Sequence, residues 1–276
     1  MYIGCHVSIR NGYLDAAKTA SLLGANCFQY FPKNPRTLSV KTIDKKNAND
    51  CRTFCIENGV KSVAHSPYPS DLTPEKGKKQ LVIDSLLNDL EIADLCGSLG
   101  VVVHFGTYHN PNDPLEGYKR MIEMMNNILH RWQGKALLLL ENNAGMKGEM
   151  GITFEEMAQI RNLCQYPDKV GFCLDTCHLF ASGVWTGENW SDLEKKGKQL
   201  NIFEHLKVIH FNNSKYPSGS RKDRHANIKR GHIGLNQFNA LVYSSYLKEL
   251  PFILETPNEL GYTHGEEIRD IKTFFM

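Results

Sequence analysis

No apolar run in this sequence approaches the roughly 20 residues that a membrane-crossing helix needs. Its first residues, MYIGCHVSIRNG, lack a basic segment followed by an apolar stretch. A membrane protein and a signal-bearing precursor are therefore not expected, and an intracellular location is. Charge of one sign is scarce as well: 32 Lys and Arg stand against 30 Asp and Glu, a net charge of +2. Any nucleic-acid binding must then come from a local basic patch. None of the eight cysteines falls in a CxxC pair, which in a reducing compartment favours free, packed thiols over disulfides or a cysteine-built zinc site. Low-complexity tracts and domain linkers are missing. So is a glycine-rich phosphate loop after the first apolar run, where GCHVSIRNG stands instead. That argues against a doubly wound nucleotide-binding sheet.

What is present is a repeated alternation. Short apolar runs rich in β-branched residues occur at 2–8, 26–31, 61–66, 101–106, 136–142, 170–176, 206–212 and 251–256. Their near-continuous apolar character suits strands buried on both faces of a parallel sheet. Between them lie helical patterns, the clearest over 115–132, where Leu115, Tyr118, Met121, Ile122, Met125, Ile128, Leu129 and Trp132 form one stripe. Thr153 and Glu156 make a capping-box pair, and further helices are expected in 75–98, 236–248 and 265–275. Eight strands alternating with helices predict one α/β domain over 1–276, a (β/α)8 TIM barrel with its active site at the C-terminal strand ends.

Polar residues fall where that site would be. His6, His65, His104, Glu141, Asp175, His210 and Glu255 lie at or near the ends of predicted strands. Such a cluster needs counterions or a metal, and imidazole with carboxylate suits catalytic zinc, or manganese, better than a structural site. In GFCLDTCH (171–178), Cys173 shares the inward face with Asp175, but only Asp175 reaches the strand end, so chemistry is expected of Asp175 and His178 and packing of Cys173 and Cys177. Asp223 and His225, two apart, can share a metal if the backbone there is extended. They sit in a loop with Lys215, Arg221, Lys222, Arg224, Lys229 and Arg230, which beside a metal cluster points to an anionic substrate, phosphate first.

With these motifs the chain resembles the endonuclease IV family of apurinic/apyrimidinic (AP) endonucleases, three-zinc DNA-repair enzymes on a TIM barrel. The resemblance runs from YIGCHVS to ILET and includes GFCLDTCH and HFNNSKYPSGSRKDRH. It implies metal ligands at His65 and His104 for a first metal, Glu141 bridging first and second, Asp175, His210 and Glu255 for the second, and His178, Asp223 and His225 for the third. It implies three Zn2+ per chain, with Mn2+ an option at one site, and Glu141 orienting the nucleophile rather than acting as a free base. The implied reaction cleaves the phosphodiester 5′ to an abasic site in double-stranded DNA, leaving a 3′-hydroxyl and a 5′-deoxyribose phosphate, with the lesion nucleotide flipped out. Processing of 3′ ends is a possible companion activity. Arg36 and Tyr68 match residues that enter the helix. A monomer working in the cytoplasm, or wherever the genome is repaired, is expected. The chain departs from the family's pattern at PSD (69–71), at Asn213 where Asp is common, and at KRGH (229–232). A sugar isomerase of the xylose-isomerase-like group would use Glu141, Asp175, His210 and Glu255 alone, and a metal-bearing lesion binder without activity would use the same ligand set.

Overall fold

A computed structural model describes every residue but Pro111, Leu260 and Met276. All eight apolar runs form strands, most of them trimmed by one or two residues at the polar end: β1 Tyr2–His6, β2 Cys27–Tyr30, β3 Lys61–His65, β4 Gly100–His104, β5 Leu137–Glu141, β6 Val170–Asp175, β7 Leu206–His210 and, after a hairpin, β10 Pro251–Leu254. They pair in parallel and close into a barrel in the order β1-β10-β7-β6-β5-β4-β3-β2. The hairpin is β8 Asn213–Ser214 against β9 His225–Ala226, antiparallel, in the loop after β7.

Period-2 alternation organises the barrel interior. Cys27, Val63, Val102, Leu139, Cys173, Val208 and Ile253 form one buried apolar layer, a residue from every strand except β1. There Gly4 leaves room: a Cβ at that position would lie 1.6 Å from Cys27 O. Two residues further along each strand the side chain points inward again, and all eight such residues are polar: His6, Gln29, His65, His104, Glu141, Asp175, His210 and Glu255. The apolar layer is the floor and this polar ring is what stands on it.

Helices cover the outside. The expected stripe is α4 Pro114–Arg131, and α5 Phe154–Leu163 starts with the Thr153/Glu156 capping box. The segment 75–98 begins as a 3-10 turn before α3 Lys79–Leu95, α9 Leu235–Val242 stops six residues before the expected end, and α10 is His264–Phe275. Five further helices lie outside the expected segments, the first three being α1 Tyr13–Leu22, α2 Lys45–Asn58 and α6 Thr176–Ser182. In α2 only Ala48, Cys51 and Cys55 are buried, too narrow a face for periodicity to reveal. The loop after α6 leads into α7 Trp190–Gln199 and the short α8 Ile202–His205. Among the described residues no helix is long and apolar enough to cross a membrane.

Candidate metal centre

The strand-end residues converge because the register brings them side by side: His104 pairs with Glu141, and Asp175 with His210. The remaining members come from the start of α6 and from the β8–β9 hairpin. Asp175 caps α6, its Oδ1 accepting from His178 N at 2.8 Å, so the one-turn spacing from Asp to His in DTCH places both side chains at the same spot. Three groups of metal-binding type built from imidazoles and carboxylates alone result, beside two that take in Cys173 or Cys177. His65, His104 and Glu141 form one, Glu141, Asp175, His210 and Glu255 the next, and His178, Asp223 and His225 the last, with ligand atoms in each within 4.8 Å of one another. Glu141 belongs to two of them. A cavity of about 410 Å³ opens over the groups, lined also by His6, Phe31, Tyr68, Asn258 and His264.

Four imidazoles each have one nitrogen engaged outside the cluster. His65 Nδ1 donates to Ser66 O at 2.8 Å and His178 Nδ1 to Asn142 O at 2.8 Å. His104 Nδ1 lies 3.1 Å from Asn143 Oδ1, and that amide's nitrogen donates to Phe105 O and Met150 O, which leaves its oxygen to accept. His225 Nδ1 faces Glu255 O at 3.4 Å. In each case Nε2 is left for the centre. His65 and His104 Nε2 are each 3.5 Å from Glu141 Oε2, His178 Nε2 is 3.4 Å from Asp223 Oδ1, and His225 Nε2 is 3.3 Å from it.

These separations test the fit to a metal. They are too long for good hydrogen bonds, and two ligands about 2.0–2.1 Å from one tetrahedral zinc stand roughly 3.3–3.4 Å apart. Glu141 Oε2 and His225 Nε2 are buried without a hydrogen-bond partner among the described residues, a costly state that a cation relieves. The donor set fits zinc. Electrostatics agree: burial opposes ionisation of Glu141, yet His210 and His104 hold its carboxyl well below the usual range. Burial likewise opposes charge on His178 and His210, yet the surrounding carboxylates raise both well above the ordinary imidazole value.

Residues 16–274 match the family described as xylose isomerase-like TIM barrel. The probable endonuclease 4 of Symbiobacterium thermophilum is 39% identical over 269 residues, 97% of each chain. The chain belongs to the endonuclease IV family. Endonuclease IV from Thermus thermophilus superposes with a TM-score of 0.86 at 29% identity, over 99% of this chain and 98% of that one. A D-tagatose 3-epimerase-like protein shares the fold alone, with a TM-score of 0.72 and 18% identity over 99% and 97% of the two chains.

Other expectations of an endonuclease IV chain can be placed as well. Tyr68 is 72% exposed beside the cavity, its ring 5.1 Å from Phe31 and its N–H on Pro35 O at 2.9 Å. Arg36 is exposed on the adjoining loop after β2. Of the six basic residues in the long loop, Lys229 pairs with Asp270 and Arg230 with Glu259. Lys215, Arg221, Lys222 and Arg224 have no ion pair among the described residues. All eight cysteines are free and buried. Cys173 and Cys177 nevertheless come within ligand range of the cluster, but burial raises both thiols, Cys173 to about 12, so they sit there neutral.

The departures from the endonuclease IV pattern have structural work. Asn213 Nδ2 donates to Ile228 O at 2.7 Å and Ile233 O at 2.8 Å while its Oδ1 accepts from Ile233 N, a pairing that an Asp lacks the donors to make. Gly231 packs on the same amide, where a Cβ would lie 2.2 Å from Oδ1, so Asn213 and the KRGH run are one unit. In the PSD run, Asp71 Oδ1 accepts from Thr73 N at 2.8 Å, and Thr73 in turn ties the loop to Thr107.

Sequence reasoning missed the amides that hold this assembly. Asn142 Oδ1 accepts from Asp175 N at 2.7 Å. Asn212 Nδ2 donates to Asp175 Oδ2 at 2.7 Å while its Oδ1 accepts from Glu255 N at 2.8 Å. Gln29 was legible in principle, as a polar residue two positions past an inward Cys27.

Proposed function

We propose that this chain is a zinc-dependent AP endonuclease that hydrolyses the phosphodiester 5′ to an abasic site in double-stranded DNA. The products are a 3′-hydroxyl and a 5′-deoxyribose phosphate, and trimming of 3′ ends is a companion activity. The observation that carries this reading is the convergence of nine residues into three metal-binding groups around a shared carboxylate in an endonuclease IV chain. His65, His104 and Glu141 would hold one zinc, Glu141, Asp175, His210 and Glu255 a second, and His178, Asp223 and His225 a third, with Mn2+ an alternative at one site. Zinc there supplies Lewis-acid stabilisation of phosphoryl oxygens and brings the pKa of water towards neutrality.

The chain's own residues do the rest. Glu141, fully buried and shared by two groups, orients the nucleophile and is not a free base. His104 and Asp223, with side chains 42% and 38% exposed, form the rim that meets the phosphate. Lys215, Arg221, Lys222 and Arg224 supply unpaired cations for the DNA backbone. Tyr68 and Arg36 enter the duplex and support the flipped nucleotide, whose extrusion costs least where no base is stacked or paired. One 1–276 domain acting as a monomer leaves the open barrel face to the duplex, in the cytoplasm or wherever DNA is repaired.

A labelled duplex with one stable abasic analogue tests this, using native protein and Glu141→Gln after metal analysis. Incision 5′ to the lesion with about three zinc per chain, lost in the variant, is expected. Binding without incision by the fully metallated native protein would make the chain a lesion binder. One metal per chain and no DNA binding would favour a sugar isomerase, which leaves five of the nine residues without a purpose.

A further inference from the structure

Gln29 stands in the ring of strand-end residues, yet it is an amide where its neighbours are imidazoles and carboxylates. It is fully buried. Its Nε2 lies 2.6 Å from Glu255 Oε1 and 3.3 Å from His6 Nδ1, and its Oε1 lies 2.8 Å from His210 Nε2. An ionised carboxylate only accepts hydrogen bonds. The amide atom facing Glu255 must therefore be the nitrogen, and the atom facing His210 the oxygen. An amide oxygen also only accepts, so His210 Nε2 must carry hydrogen. That leaves Nδ1 for the centre, and Nδ1 is the atom that lies 2.8 Å from Glu141 Oε1 and 3.1 Å from Glu255 Oε2.

We infer that Gln29 is a positioning residue of the second metal group, fixing the tautomer of His210 and the carboxylate plane of Glu255 at once. His210 is thereby the exception in the centre. His65, His104, His178 and His225 turn Nε2 inward, whereas His210 turns Nδ1 inward, because it rises from β7 with its far nitrogen reaching across to β2. A single side chain on β2, a strand that contributes no ligand-type residue to the three groups, thus couples β7 to β10. The inference rests on the zinc reading above but not on nuclease activity. Partners that orient metal-binding imidazoles and carboxylates typically contribute about 10–100-fold in metal affinity.

The test reads zinc and nitrogen rather than DNA. In zinc-loaded native protein, long-range 1H–15N correlation should show His210 protonated at Nε2 and zinc-bound at Nδ1. Gln29→Leu, close in size but without the amide, should lose that fixed pattern and bind zinc about 10–100-fold more weakly at one of the three sites in chelator competition. Gln29→Glu keeps an acceptor for His210, so it should retain the Nε2–H signal while repelling Glu255 and weakening the same site. Zinc bound with hydrogen on His210 Nδ1 overturns the inference whatever the variants do, as does a folded Gln29→Leu with native zinc affinity. A native protein that takes up no zinc overturns this inference together with the metal-centre reading. Zinc bound with the expected tautomer but no incision supports this inference and removes the nuclease proposal only.

Discussion

Replacing Lys33 with methionine should unmask a charge that the fold keeps sealed. Lys33 lies in the loop after β2, three residues before Arg36, and its Nζ is 3.0 Å from Asp89 Oδ1 on α3 and 2.7 Å from Ser85 O. The two side chains are 2% and 0% exposed, and neither Asp89 oxygen has another hydrogen-bond partner among the described residues. Burial already pushes the Asp89 carboxyl up to about 7, against the pull of Lys33. Methionine preserves most of the stem but none of the charge, so Asp89 must be protonated or stay as a lone buried anion. Removing one partner of a buried pair costs about 3–5 kcal/mol. At about 2.1 cal/mol/K per residue, this chain has an unfolding entropy of roughly 0.6 kcal/mol/K, so Tm should fall by about 5–9 °C. Urea unfolding should show a lower midpoint with unchanged slope. The double variant Lys33→Met/Asp89→Leu, with no charge left to bury, should recover most of the loss. A single variant within about 1 kcal/mol of native, or a double variant no more stable than the single, would refute the reasoning.

Three further outcomes are expected. In EDTA, raised imidazole pKa values at His65, His178 and His210 give stability that is full below about pH 6.5 and is lost as pH rises through the folded values. The depressed Glu141 and Glu255 give stability present above about pH 4.3 and lost as pH falls through theirs. Chelated protein should therefore melt lower at about pH 8 than at about pH 6, and a midpoint that climbs over this range contradicts the cluster's electrostatics. Tyr68→Ala, at an exposed site, should leave stability within about 0.5 kcal/mol but weaken binding to an abasic duplex by about 1–3 kcal/mol; fluorescence anisotropy with intact unfolding curves decides. Asn213→Asp removes both donors to Ile228 O and Ile233 O and should cost roughly 2 kcal/mol or more, read by urea unfolding, with a native-like curve counting against the clasp.

The barrel could be read from sequence because most strands repeat the same two-step pattern, an apolar inward residue such as Val102 or Leu139 followed by a ligand-type residue such as His104 or Glu141. Parallel strands buried on both faces leave little else for such runs to do. The helices were harder. α4 shows its stripe because one side faces water, whereas α6 is buried nearly all round and α2 buries only a narrow edge. The grouping of nine His, Asp and Glu side chains was legible because seven polar residues recur at strand ends and the rest follow from the family resemblance. Asn142 and Asn212 were not legible, since an amide looks ordinary in sequence and gains meaning only from the partner that fixes its orientation; Gln29 showed its place, two positions past Cys27, but not its role. Asn213 could be noticed as a departure, but its reason lies in two carbonyls 15 and 20 residues downstream.

The order of strands around the barrel also sets a timetable. β10 is the last of the eight barrel strands to be synthesised, yet it is the one that seals the cylinder between β1 and β7, and Glu255 follows it directly. A nascent chain stalled just before β10 therefore has two exposed sheet edges and an incomplete second group, however well its earlier elements have formed. Closure of the cylinder and completion of the second group then arrive in one step, when β10 docks.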